Sequence, residues 1–301
     1  MRISGVLLPL TTPFVGGAVA ADKIVENIER YEKHDPAGYV MLGSSGEAAF
    51  LSEAEKVELL RAARAAIPPR KPMVAGVGLE STAATVKLAR TAADCGADML
   101  LVITPHFFKS KMTDEALKEH FLAVADASSV PILVYNNPTV TGVSISAEAI
   151  AEIAAHERIA GVKDSSGNLG WMLDLLARVP DDFIVLSGSA DILAAVMAAG
   201  ASGGILAAAD ILPEPMIRIW KLCEAGKTSE ANALQKAVVG PLKLIHGRHG
   251  VAGIKAAMDA RGLYGGPPRK PLLAVRDETR RAIGEEIDGL IRDGIIPTLA
   301  I

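Results

Sequence analysis

Eight short runs of β-branched and aliphatic residues recur along the chain, separated by Ala-rich, charge-flanked stretches of helical length. They are Gly5 to Leu10, Tyr39 to Gly43, Met73 to Gly78, Met99 to Thr104, Ile132 to Asn136, Ile159 to Lys163, Phe183 to Gly188 and Gly203 to Leu206. Strands buried on both faces read as nearly continuous apolar runs, and their regular alternation with helices predicts βα units around a parallel sheet. The helical stretches carry matching punctuation. Ser52 and Glu55 form a capping box, each side chain satisfying a free amide of the first turn. Gly96, Gly200 and Gly226 stand where helices end in the left-handed conformation. An open doubly wound sheet would alternate in the same way, but it has fewer strands and often a Gly-rich first βα turn. Leu10-Thr11-Thr12-Pro13 is no such turn. After about residue 226 the strand-like runs cease, leaving helices near Thr228 to His246, Val251 to Arg261 and Asp277 to Arg292, with Gly265-Gly266-Pro267-Pro268 between the last two. The expected fold is α/β: a (β/α)8 TIM barrel over residues 1–225 with a C-terminal helical extension over 226–301.

Composition sharpens this picture and narrows the function classes. The 301 residues exceed the ~250 that a (β/α)8 barrel takes. Half are apolar while only 4% are aromatic, so a large core must be built mostly from Ala, Val, Leu and Ile. The formal net charge is −4, and no basic helical face carries interleaved aromatics, so nucleic acid is not an expected partner. No apolar stretch is long enough to span a bilayer. The run from Val6 to Leu10 is short and holds Pro9, which argues against a signal peptide. Cys95 and Cys223 are too few and too far apart for a disulfide framework or a zinc site, and they point to a reducing, cytoplasmic setting.

Active sites of such barrels lie at the carboxyl ends of the strands. Three strands end in polar residues: strand two in Gly43-Ser44-Ser45-Gly46-Glu47, strand five in Tyr135-Asn136-Asn137-Pro138, and strand six in Gly161-Val162-Lys163-Asp164-Ser165. A lysine held at the mouth is partly desolvated, which lowers its pKa and frees an amine to attack a ketone. The competing possibility is that Lys163 only salt-bridges Asp164 or another carboxylate. Tyr135, ending the neighbouring strand, offers a phenol to relay protons, or is a core residue with a wet hydroxyl. Ser44 and Ser45 sit in a glycine-flanked turn whose amides and hydroxyls can converge on a carboxylate, although such turns are also ordinary loop chemistry. Glu47 reads as a structural carboxylate. His246 and His249 lack the partner spacing of a zinc site and read as surface or interface residues, so no metal is expected.

Together these segments, with Thr141-Gly142 and Gly167-Asn168, resemble the three signature segments of the dihydrodipicolinate synthase/N-acetylneuraminate lyase family, and the resemblance runs from Gly5 through Pro271. It implies an imine between Lys163 and pyruvate, with Tyr135 as acid/base and Ser44 linking Tyr135 into a proton relay. Ser45 and neighbouring amides such as that of Gly46 would hold the pyruvate carboxylate. Ser165 and Gly188 would belong to the substrate-binding set, and Ile205 matches the position whose carbonyl faces the lysine. No metal or cofactor is implied. The partner is a small keto acid, and relatives are dimers or tetramers.

Departures from the pattern bear on the substrate. Dihydrodipicolinate synthases carry an arginine for the carboxylate of aspartate semialdehyde where this chain has Val140, and an apolar side chain cannot replace a bidentate charged contact. N-acetylneuraminate lyases place acidic residues after strand seven, where this chain has Gly188-Ser189-Ala190-Asp191. That run, with Phe107-Phe108-Lys109, Met112 and Gly265-Gly266-Pro267, looks most like 4-hydroxy-2-oxoglutarate aldolases, and the Tyr135 to Thr139 segment also resembles aldolases of 2-keto-3-deoxy sugar acids. The expected activity is therefore cleavage or formation of a 2-oxo-4-hydroxy acid of one of these kinds. Condensation of pyruvate with aspartate semialdehyde is the alternative. Phe107 replaces the tyrosine with which family members complete a neighbouring subunit's relay, and it has no proton to pass. A non-catalytic keto-acid sensor would need the carboxylate pocket but neither nucleophile nor proton shuttle.

Overall fold

The computed structural model describes residues 3–298; residues 1–2 and 299–301, at the ends of the two expected regions, lie outside the described residues. Eight parallel strands close into a barrel. They are β1 (Gly5–Pro9), β2 (Gly38–Met41), β3 (Met73–Gly76), β4 (Met99–Ile103), β5 (Ile132–Asn136), β6 (Ile159–Asp164), β7 (Ile184–Ser187) and β8 (Gly203–Ile205). Each pairs with its neighbours in sequence, and β8 closes on β1 with Gly5 opposite Gly203 and Leu7 opposite Ile205.

Because side chains alternate along each strand, the apolar runs feed two cores. Leu7, Val40, Val74, Leu101, Leu133, Leu186 and Ile205 fill the lumen. Residues between them, such as Leu8, Met41, Val102, Val134 and Val162, face the surrounding helices. Helix α1 (Ala21–Tyr31) follows β1, and α2 (Glu53–Ala66) follows β2 with the Ser52–Glu55 capping box present as expected. The next two, α3 (Thr82–Asp94) and α4 (Asp114–Ala127), are capped by Ser81 and Thr113. Gly96, Gly200 and Gly226 have φ of 87°, 103° and 71°, the left-handed values expected after helices. A hairpin between Phe14–Val15 and Ala18–Val19 was not anticipated; Gly16 and Gly17, both at positive φ, make its turn.

Beyond residue 226 the chain is helical, in α5 (Thr228–Leu242), α6 (Arg248–Ala260) and α7 (Asp277–Arg292). The first of these stops short of His246. Pro241 supplies no amide hydrogen to the ladder, and the following turn, Lys243–Gly247, widens to a π-helix. Helix α6 begins at Arg248 but is broken at Gly250 (φ 53°, ψ −139°), so its regular part begins at Val251, where the sequence places it. Cys95 and Cys223 are free thiols. No helix among the described residues is long and apolar enough to cross a membrane.

Candidate active site

Tyr135 and Lys163 occupy the same rung of the β5–β6 ladder, and Asn136 and Asp164 the next. Partners on one rung of a parallel sheet project to the same face, and successive rungs alternate. Tyr135 packs with the lumen residues, which sends Lys163 inward as well. Its Nζ lies 4.2 Å from the centroid of the Tyr135 ring, and both side chains are buried. Asp164 serves the opposite face. Its Oδ1 accepts from Asn136 Nδ2 at 2.7 Å and its Oδ2 from Ser166 Oγ at 2.6 Å, and burial raises its pKa against those bonds. Lys163 therefore makes no ion pair with Asp164, and it has no carboxylate partner among the described residues.

Opposing influences act on the Tyr135 phenol. Burial pushes its pKa up, but the Lys163 charge and the polar groups of Ser165, Ser44 and Lys163 around it outweigh burial and hold it below the ordinary tyrosine range. Asn137 adds a donor, Nδ2 to Tyr135 Oη at 2.8 Å, and Thr139 Oγ1 donates to Asn137 Oδ1 at 2.7 Å, which fixes the orientation of that amide. Asn137 stands in the strand-five motif with no role evident from the sequence. Its place two residues after the tyrosine, on a loop that folds back over the strand, was the available signal.

The turn Gly43–Glu47 brings Ser44 to this phenol. Gly46 N donates to Gly43 O at 3.1 Å and Glu47 N to Ser44 O at 3.1 Å, while Thr12 Oγ1 donates to Gly46 O at 2.6 Å. Ser45 is half-buried beside them. Ser165, whose amide donates to Asn136 O at 2.8 Å, approaches from β6, and Gly188 follows β7 with its amide 2.6 Å from Asp164 O. Lys163, Tyr135, Ser44, Ser165 and Gly188 are thus assembled at one end of the barrel. Ile205 is fully buried in the lumen cluster with Tyr135. Glu47 turns away into a buried pair with Lys255, consistent with its structural reading.

A cavity of about 460 Å³ opens above the site, bounded by Ser44, Ile103, His106, Tyr135, Val140 and Leu272. Val140 is 60% exposed on its rim. Phe107, 76% exposed, stacks edge-to-face on Phe108 with ring centroids 5.1 Å apart. Lys109 leans on the loop after β5, its Nζ only 2.9 Å from where a Cβ on Gly142 would stand. His246 is exposed as a residue, but on the π-turn its ring is partly desolvated, which lowers its pKa, and the charges of Asp191 (raising it) and Lys163 (lowering it) also act on it.

Residues 2–289 match the model of the dihydrodipicolinate synthetase family. The chain belongs to that family. It is accordingly a carbon–carbon lyase of the aldolase type. It is 33% identical over 292 residues to the protein of Emericella nidulans named "Probable 4-hydroxy-2-oxoglutarate aldolase, mitochondrial", covering 94% of this chain and 93% of that one. It is 30% identical over 299 residues to the 4-hydroxy-tetrahydrodipicolinate synthase of Methanopyrus kandleri, with 98% of each covered. The solved dihydrodipicolinate synthase of Acinetobacter baumannii, in complex with pyruvate, superposes with a TM-score of 0.91 at 27% identity over 98% of this chain and 100% of that one.

Proposed function

We propose that this family member works through a Schiff base, with Lys163 as nucleophile, and that it cleaves or forms a 2-oxo-4-hydroxy acid: 4-hydroxy-2-oxoglutarate or a 2-keto-3-deoxy sugar acid. The observation that carries the reading is the shared rung of Lys163 and Tyr135, with no carboxylate on the amine and a phenol beside it. In the cleavage direction the amine adds to the C2 carbonyl, and loss of water leaves an iminium that withdraws electrons from C3. Tyr135 takes the proton of the C4 hydroxyl, the C3–C4 bond breaks to release an aldehyde, and its electrons remain as an enamine. Protonation at C3 and hydrolysis then return pyruvate and the free amine. Ser44 and Ser165, on the phenol, would pass the proton onward. Ser45 and the Gly46 amide would take the pyruvate carboxylate.

Val140 supports the sugar acid most directly, since the rim offers an apolar side chain where a distal carboxylate, of aspartate semialdehyde or of 4-hydroxy-2-oxoglutarate, would need a cation. Lys109, whose ammonium stands over the loop that carries Val140, would serve the distal carboxylate of 4-hydroxy-2-oxoglutarate, and equally that of aspartate semialdehyde in a second reading, condensation with pyruvate. The exposed Phe107 and Phe108 support assembly into a homodimer or homotetramer. The two free thiols support a reducing, cytoplasmic location. The nucleophile is tested by incubation with pyruvate and borohydride. A reduced pyruvyl mass on Lys163, absent from Lys163→Ala, is the expected result; no adduct, or an adduct elsewhere, rejects the mechanism.

A further inference from the structure

The charge pair most completely removed from water among the described residues lies behind the serine turn. Glu47 and Lys255 have side chains 1% and 0% exposed, and their Oε1 and Nζ are 2.6 Å apart. The Lys255 ammonium also donates to Thr12 O at 2.8 Å and Pro267 O at 3.0 Å. Glu47 accepts with its other oxygen from the Arg269 amide at 2.7 Å. One lysine of helix α6 thereby joins the loop after β1, the serine turn and the segment leading to α7. The turn has cause to need such a hold. Leu42, just before it, and Glu47, at its end, have φ of 58° and 54°, values that residues with side chains keep only where surrounding bonds impose them.

We propose that Lys255 is a positioning residue for the reaction: acting through Glu47, it fixes the turn that presents Ser44 to Tyr135 and the Gly46 amide and Ser45 to the pyruvate carboxylate. A buried pair does not repay its desolvation better than apolar side chains of equal volume would, so packing alone does not account for it. Direction does. The ammonium donates to two carbonyls, of Thr12 and Pro267, and sets its charge against Glu47 Oε1, and an apolar filler would occupy the space without setting the angle of the turn. The C-terminal extension, on this view, completes the active site without touching substrate. The inference rests on the proposed roles of Ser44 and Ser45.

Two variants test it. Lys255→Met keeps length and volume and loses the donors; Glu47→Gln keeps shape and loses the charge. In each folded variant, the pyruvate concentration that half-saturates borohydride trapping of Lys163 should rise about 10-fold, the effect of roughly one charge-assisted hydrogen bond. Ile287→Ala, a packing change in α7, is the control: it should lower the melting temperature and leave half-saturation unchanged. Half-saturation within about twofold of the unmodified protein overturns the inference, as does an equal rise in Ile287→Ala. Should Lys255→Met fail to fold, Glu47→Gln decides by the same criterion. Absence of trapping in the unmodified protein would instead remove the Schiff-base reading, and this inference with it.

Discussion

Gly188 and Ser165 approach each other so closely across the ends of β7 and β6 that a Cβ on Gly188 would overlap the serine hydroxyl. It would also stand 2.9 Å from Ser165 Cβ and 3.0 Å from Asp164 O. The glycine is thus required by space, and what it makes room for is the Ser165 hydroxyl, one of the groups that lower the pKa of the Tyr135 phenol. Substrate contact and residue positioning meet at this point, because the same gap that admits Ser165 sets where the phenol's proton can go.

In Gly188→Ala, rotation of Ser165 frees the hydroxyl clash, but Ser165 Cβ at 2.9 Å and Asp164 O at 3.0 Å must give way by a small shift of the β6 end, which should displace Ser165 from Tyr135. Misplacement of a proton-handling group by about 1 Å can cost on the order of 10² in rate. Turnover should fall by about 10- to 100-fold, while pyruvate still forms the trapped adduct on Lys163. Steady-state kinetics beside adduct mass spectrometry checks this. Unchanged turnover would show that Ser165 has no part in the proton path.

The barrel and the rung of Lys163 and Tyr135 were legible in the sequence because both follow from local pattern. Apolar runs of strand length mark the elements, and the fold places strand-end polar residues at one mouth. Asn137 was not legible as a partner of the phenol, since which way an amide turns depends on neighbours such as Thr139 that only the folded loop brings near. Lys255 was harder still. A lysine within an Ala-rich helix looks solvated by pattern, and its acceptors on Thr12, Glu47 and Pro267 come from three distant parts of the chain. The π-turn at Lys243–Gly247 escaped for a related reason: Pro241 announces a disturbance, but whether the ladder kinks, ends or widens is settled by packing around it.

Acid should weaken the fold through His120. Its ring is buried on α4, with Nδ1 2.9 Å from Thr82 Oγ1, and burial pushes its pKa down to about 4 from an ordinary 6.5. The folded state needs the neutral ring, so this contribution is fully present above about pH 6.5 and is lost as pH falls towards 4. Over that window the loss amounts to roughly 3 kcal/mol. Melting temperatures from pH 8 to about pH 4 should therefore drop less steeply in His120→Gln than in the unmodified protein. Parallel curves for the two would show that His120 is not the group being titrated.

Substrate choice turns on the charge available at the rim. If the cleaved acid is 4-hydroxy-2-oxoglutarate, its distal carboxylate needs a cation, and Lys109 stands against the Val140 loop at Gly142; a sugar acid ends in hydroxyls and needs none. A charge-assisted contact contributes roughly 1.5–3 kcal/mol, or about 10- to 100-fold in specificity constant. Cleavage of the sugar acid should exceed condensation with aspartate semialdehyde in the unmodified protein, and Val140→Arg should raise the condensation by about that factor. Lys109→Met then separates the two acids: kcat/KM should fall for 4-hydroxy-2-oxoglutarate and hold for the sugar acid. If condensation is already the faster reaction before any substitution, and Lys109→Met abolishes that advantage, Lys109 is doing the work of the absent arginine. The chain would then be a synthase in its acceptor preference, with the chemistry at Lys163 unaltered.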